Sequence, residues 1–340
     1  MLVDNRGVSH FSGLQSCGSI WDCPPCSAKI RGARAEDISA AAAVWCNAGN
    51  TVFLAAMTVP HDQGMALAPL FDVISRGFTY VISGRPWRRV CKRLGIVGTI
   101  RAVEVTCGCN GWHPHSHSLI FAEGEVSAEA LAVLTLYLRD RWRRYVTREG
   151  FRLPSWDHGV KVDVCRSAEE AGAYVAKLQE SGRSPGNEVA RADLKSGRYG
   201  HRTPFGILRD FRLYGDRDDR DLFREYQRVT KGRQAITWSA GLRKRLLAEV
   251  PERTDEEIAA EEIGGDHVLG FGSESWRQVV RVRGLATRIQ CAYDDGGLAE
   301  VAALLAAHGH LLVPGELAPR VVPAGLAGVS TGAYDDDGHG

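Results

Sequence analysis

Two apolar runs flanking "CGCNG", residues 107–111, constrain this chain more than any other feature. "IVGTIRAVEVT" precedes it and "GWHPHSHSLIF" follows, and Asn110-Gly111 between them is a strong hairpin signal. The runs therefore read as an antiparallel strand pair. Successive side chains of a strand point to opposite faces, so His113, His115 and His117 share one face of the sheet. With the turn near Cys109 and Asn110, Glu104 falls opposite His115, at a cross-strand separation of about 5 Å. One carboxylate and two imidazoles at that spacing suit a divalent cation such as Mn²⁺ or Mg²⁺, with positions left for water or phosphate. His113 is open to three readings: a further ligand, a substrate contact, or an exposed residue. A soft zinc site joining Cys107 and Cys109 to His113 competes with this reading, and a plain solvated polar face is the bland alternative.

The rest of the chain reads as α+β. A cysteine-rich stretch, "CGSIWDCPPCSAKIRGARA", runs into a helix that continues to about Trp45. "TVFLAAMTV" (51–59) has the pattern of a strand covered on both faces, and Leu67, Leu70, Phe71, Ile74 and Phe78 follow at helical spacing. Ser127 can cap the helix "AEALAVLTLYLRDRWRRYV", and "GVKVDVC" (159–165) is a further strand before the helix "SAEEAGAYVAKLQE". The order gives a central antiparallel sheet with helices packed on it. Four segments result: a Cys-rich N-terminal segment with its helix (1–50), a sheet-bearing domain (51–215), a helical C-terminal region (216–312), and a Gly-, Pro- and Asp-rich tail (313–340) with the composition of disorder. There is no GxxxxGK[ST], which argues against a P-loop NTPase.

The helix 167–178 carries its own constellation. Ser167 and Glu170 have capping-box spacing, and Glu170, Tyr174 and Lys177 share one helix face. A tyrosine hydroxyl has an ordinary pKa of about 10, so it needs a neighbouring ammonium or metal-polarised phosphate to act as a nucleophile. Near the N-terminus, Cys17, Cys23 and Cys26 include a C-x-x-C pair with zinc-site spacing, and His10 or Cys46 could complete it.

The net charge is only +1 over 340 residues, so no global basic field announces nucleic acid, but the charge is uneven. Residues 85–101 hold six Arg or Lys and no acid, and 183–212 carry seven against three acids. Within the second block Arg191, Lys195, Arg198 and Arg202 alternate with glycines and rings, a composition suited to single-stranded DNA.

"FLAAMTVPH", "GWHPHSHSLIF" and "EEAGAYVAKL", in that order, resemble the HUH endonucleases, and more narrowly the rolling-circle replication initiators of Gram-positive, particularly actinobacterial, plasmids. "CGSIWDCPPCSAKI", "DLKSGRYGHRTPFGIL" and "YQRVTKGRQAITWSAGLRKRL" resemble further blocks of those initiators, so the likeness runs over residues 10–310. It implies a metal-dependent nickase in which His115 and His117 hold the cation with a further ligand. Tyr174 would attack an origin phosphodiester and retain the 5′ phosphate, the freed 3′ hydroxyl would prime synthesis, and Glu170 would activate water for the closing cleavage. The residue between the two histidines is usually bulky and apolar; here it is Ser116, which puts the packing behind the pair in question. The expected partners are plasmid origin DNA, a host helicase and the replication machinery, with self-association left open. The alternatives are an HUH transposase or relaxase, a zinc-stabilised DNA-binding protein without catalysis, or an initiator that binds but cannot cut. The absence of a signal-peptide pattern or an apolar run of about 18 residues argues against a membrane span and, with nine cysteines, for the reducing cytoplasm.

Overall fold

The computed structural model describes residues 1–3, 9–165, 201–261, 266–282 and 284–309. The chain divides into two compact units, residues 15–261 and residues 1–14 with 262–340, a partition different from the sequence segments 1–50, 51–215, 216–312 and 313–340.

In the smaller unit, strands β1 (Leu2–Val3) and β2 (Ser9–His10) pair with each other, and β1 also pairs with a strand from far along the chain, β8 (Asp266–His267). Its core gathers Met1, Leu269, Val279, Leu285, Ile289, Val301 and Leu305.

The larger unit is built on a five-stranded antiparallel sheet. Its strands are β3 (Thr51–Thr58), β4 (Ile96–Gly108), β5 (Gly111–Ala122), β6 (Val160–Cys165) and β7 (Ile236–Trp238), in the order β6-β3-β5-β4-β7. The β4–β5 hairpin turns over Cys109-Asn110, and Gly111 takes φ +82°, a backbone conformation that favours glycine. Pro114 lies in the central strand, where a missing N–H would ordinarily break the ladder. Cys107 gives its amide and carbonyl to Arg202 rather than to Trp112, so by antiparallel alternation Pro114 directs its nitrogen away from β4, past the end of β3 at Thr58.

Both faces are covered. On one, α2 (Leu67–Val81) and α4 (Ala128–Arg148) pack over Phe53, Met57, Val103 and Ile120. Their amphipathic spacing supplies Leu70, Phe71, Ile74 and Phe78 from α2 and Leu134, Leu138 and Trp142 from α4, and Ser127 caps α4 as expected. On the other face α1 (Pro24–Asn47) lays Ala35, Ile38, Ala42 and Trp45 against Val52, Ile100, Leu119 and Phe121. Between α2 and β4 lies α3 (Gly84–Leu94), which the basic block 85–101 had concealed: that block is a helix followed by a strand, and its last member, Arg101, is buried rather than solvated. Helices α5 (Pro204–Tyr214), α6 (Arg217–Thr230), α7 (Leu242–Leu246) and α8 (Asp255–Ala260) complete this unit; α9 (Ser273–Arg281) and α10 (Leu285–Ala307) belong to the smaller one. Among the described residues no helix is long and apolar enough to cross a membrane.

Candidate metal centre and its surroundings

The hairpin register places Glu104 directly opposite His115, as the turn chemistry predicts, and His117 two residues further along the same face. Glu104 Oε2 lies 3.1 Å from His115 Nε2 and 3.7 Å from His117 Nε2. One ligand atom from each of the three residues falls within 4.8 Å of the others. First-row and alkaline-earth cations hold N and O ligands at about 2.0–2.6 Å, so three donors at these separations can share one ion. Glu104 is buried, while the His115 and His117 side chains are 15% and 21% exposed, so a further ligand can approach from the histidine side.

The three groups set one another's protonation. Burial works to raise the Glu104 carboxyl, but the hydrogen bond and charge of His115, the charge of His117 and, more weakly, Arg31 from α1 hold it below the ordinary range. Burial lowers His117 to about 4, only partly offset by Glu104, so its imidazole is neutral near pH 7. His115 is raised: the hydrogen bond and charge of Glu104 overcome its burial.

His113 is not part of this triad among the described residues. Its ring stacks between His61 and His115, each centroid 4.9 Å away, and His201 lies 5.8 Å off. Burial, followed by the neighbouring imidazoles, lowers His113 to about 3. The competing soft site does not assemble, because Cys107 belongs to the core on the opposite face of β4 and Cys109 sits exposed in the turn. His61 and His201 extend the row of rings. His61 could be glimpsed in "TVPH", but nothing local announces His201, which reaches Gly108 from far along the chain.

Behind the histidine pair the sheet carries Ser116 and Ser118, both fully buried. Ser116 lies in register between Met57 and Val103, and neither hydroxyl has a hydrogen-bond partner among the described residues. The bulky apolar residue expected there is absent, and two polar groups face a hydrocarbon layer instead.

A second cluster forms where α1 begins. Cys17, Cys23 and Cys26 bring their sulfurs within 4.8 Å of one another, with Cys17 and Cys26 3.9 Å apart. Thiolates tetrahedrally arranged at about 2.3 Å from zinc are separated by about 3.8 Å, so this spacing fits zinc. Burial pushes Cys23 up to about 12, while Cys26, despite its own burial, is held below the ordinary thiol range by the Cys17 backbone and its neighbours. Cys46 cannot be the fourth ligand: it lies twenty residues beyond Cys26 on the same helix, about 30 Å away. His10 belongs to the other compact unit. None of the nine cysteines forms a disulfide.

Tyr174, Glu170 and Lys177, with Arg191, Lys195 and Arg198, lie outside the described residues. Arg202 is described, and its guanidinium is bound to Asp219 (2.7 Å) and Asp210 (3.2 Å) while its backbone pairs with Cys107. Its charge is already spent within the fold.

No family model and no solved structure matches the chain. Among known proteins it is similar to "Protein rep" of Streptomyces lividans, 33% identical over an alignment of 340 residues that covers 81% of this chain and 74% of the relative. It is also similar to "Neomycin resistance protein" of Streptomyces cyanogenus, 30% identical over 231 residues, spanning 55% of this chain and about half, 52%, of that protein.

Proposed function

The chain belongs to the family of Rep-type plasmid replication proteins and acts in the initiation of plasmid replication, and we propose that it does so by nicking and rejoining one origin strand through a covalent 5′-phosphotyrosine link. The observation that carries this reading is the convergence of Glu104, His115 and His117 on a partly open sheet face. In the proposed reaction the Tyr174 oxygen bonds to the scissile phosphorus as the bond to the 3′ oxygen breaks. The phenol proton passes by way of solvent to the leaving 3′ oxygen, and the 3′ hydroxyl so formed serves as primer. Glu104, His115 and His117 would hold Mn²⁺ or Mg²⁺, which when bound would polarise the phosphoryl oxygens under attack. Lys177 would offset charge at the phosphate, and Glu170 would take a proton from water in the terminating cleavage. Arg191, Lys195 and Arg198 would follow the single-stranded backbone, and a host helicase would have to open the duplex ahead of the primer.

The tyrosine can reach the site. It lies nine residues beyond Cys165, a length that spans at most about 30 Å. Cys165 pairs with Val52, and His117 pairs with Ala56, four positions along β3, or about 13 Å. Cys17, Cys23 and Cys26 would bind a structural zinc that fixes the start of α1, the helix packed over the histidine face.

The test is a gel assay with a single-stranded oligonucleotide carrying the nick region of the cognate plasmid, comparing wild type and Tyr174→Phe with Mn²⁺ or EDTA. A cation-dependent adduct that survives SDS and vanishes in Tyr174→Phe supports the reading. An adduct that persists in that variant moves the nucleophile elsewhere. Origin binding with no adduct in any condition favours the non-catalytic, zinc-stabilised binder.

A further inference from the structure

Helix α3, "GRPWRRVCKRL", is amphipathic in an unusual sense. Trp87 and Leu94 are buried, with Val90 and Cys91 packed beside them against the core. Arg85, Arg88, Arg89, Lys92 and Arg93 are all exposed. At about 100° per residue these five cations occupy one stripe roughly 140° wide, opposite the apolar one, and over eight residue steps they extend about 12 Å along the axis. The helix contains no acid, and none of the five makes a hydrogen bond or ion pair with a described residue. The neighbouring α4 shows what a structural arginine looks like here. Its Arg139, Arg141, Arg143, Arg144 and Arg148 are each tied to a carbonyl, a carboxylate or an aromatic face.

We propose that the exposed stripe of α3 is a docking surface for the phosphate backbone of double-stranded DNA, separate from the metal centre and indifferent to base sequence. This deepens the reading of the chain as a DNA-nicking initiator by assigning a surface for the duplex that flanks the nick. Unpaired cations on one rigid face match a polyanion carrying about one charge per 1.7 Å of axis. Single strands are a poorer fit. They are held by rings on which bases stack, and the one aromatic side chain of α3, Trp87, is buried and stacked on Tyr137 at 5.7 Å. A membrane surface is a poorer fit too, because the apolar stripe that would insert is already covered by the fold.

The experiment uses the full-length protein with Arg88→Glu, Arg89→Glu and Lys92→Glu combined, and a second variant with Arg85, Arg88, Arg89 and Arg93 all replaced by Lys. Binding of a 40-base-pair duplex, in origin and scrambled versions, is measured by fluorescence anisotropy across a range of salt. Nicking of the single-stranded oligonucleotide is followed in parallel. We expect the charge-reversed protein to bind both duplexes at least about tenfold more weakly near 150 mM salt, with the slope of log K against log salt shallower by about 3, while single-strand nicking is unchanged. The all-lysine variant should keep wild-type duplex binding. Unchanged affinity and slope in the charge-reversed protein would overturn the proposal and leave the stripe for an acidic protein. Loss confined to the origin duplex would overturn its sequence-independent form. A wild type that binds duplex with this slope but forms no adduct fails the nicking reading alone.

Discussion

Glu104, His115 and His117 stand on two adjacent strands in the middle of a sheet, whereas Cys17, Cys23 and Cys26 gather where a loop enters a helix. Both clusters bring three donors within the same 4.8 Å, but they are built by different means and suit different ions. The first is positioned by a hydrogen-bonded ladder that exists with or without metal. Its donors are oxygen and nitrogen, and its acid is already held by an imidazole. The second depends on three side chains with little backbone to fix Cys17. Its soft sulfurs would be drawn together as thiolates only with a cation between them. A rigid, hard, open site suits chemistry, and a soft one whose geometry depends on the ion suits folding.

Removing a donor should separate the two most sharply. His117→Ala is expected to lower the rate of Mn²⁺-dependent adduct formation about a thousandfold or more, a loss of about 4 kcal/mol of transition-state stabilisation, with little change in melting temperature. Single-turnover nicking beside a thermal melt would check it. A large fall in melting temperature would mean that the histidine face is structural after all. The mirror experiment is Cys26→Ser. It should abolish stoichiometric zinc measured by elemental analysis and cost about 2–4 kcal/mol of unfolding free energy, while nicking below the new melting point stays within a few-fold of wild type. Nicking that falls as far as in His117→Ala would erase the division of labour.

A pH series sharpens the contrast within the histidine row. His117 at about 4 and His113 at about 3 titrate below the unfolded histidine value near 6.5. The unfolded chain therefore takes up protons first, and metal-free protein should lose stability as pH falls from about 6.5 toward 4. His115, raised by Glu104, acts in the opposite sense, its charged pair being most favourable below its own elevated pKa. Chemical denaturation at several pH values should show the net fall, and His113→Phe should make it shallower. The smallest effect is expected at Ser116→Ala, which removes a buried hydroxyl without a partner and should raise stability by about 1 kcal/mol without altering nicking.

How much of this was legible in the sequence follows from how far apart the contributing residues are. The opposition of Glu104 and His115 could be read because a two-residue turn fixes the register and the strand period does the rest. The thiol triad could be read because its members lie within ten residues (17 to 26). Helix α3 could have been read as well, since Trp87, Val90, Cys91 and Leu94 keep helical spacing, but its charge masked its period and Ser83 makes no side-chain cap. His201, the carbonyl partners of Arg101 and Arg141, and the pairing of Leu2 with His267 were not legible. Each depends on chain segments brought together from afar, which no local pattern encodes.

The edges of the sheet hold one further consequence. Cys165 ends β6 at one edge, level with Gly98 of β4, and Arg202 bonds to Cys107 beyond β4, four strand spacings across and nine residues along, or about 35 Å away. The stretch that carries Tyr174 is thus sewn to the sheet at both ends. In the proposed reaction a tyrosine tethered at both ends would meet its target at an effective concentration of millimolar order, whatever the dilution of the protein. A DNA end joined to it in that reaction would stay tied to the sheet through both ends of the segment.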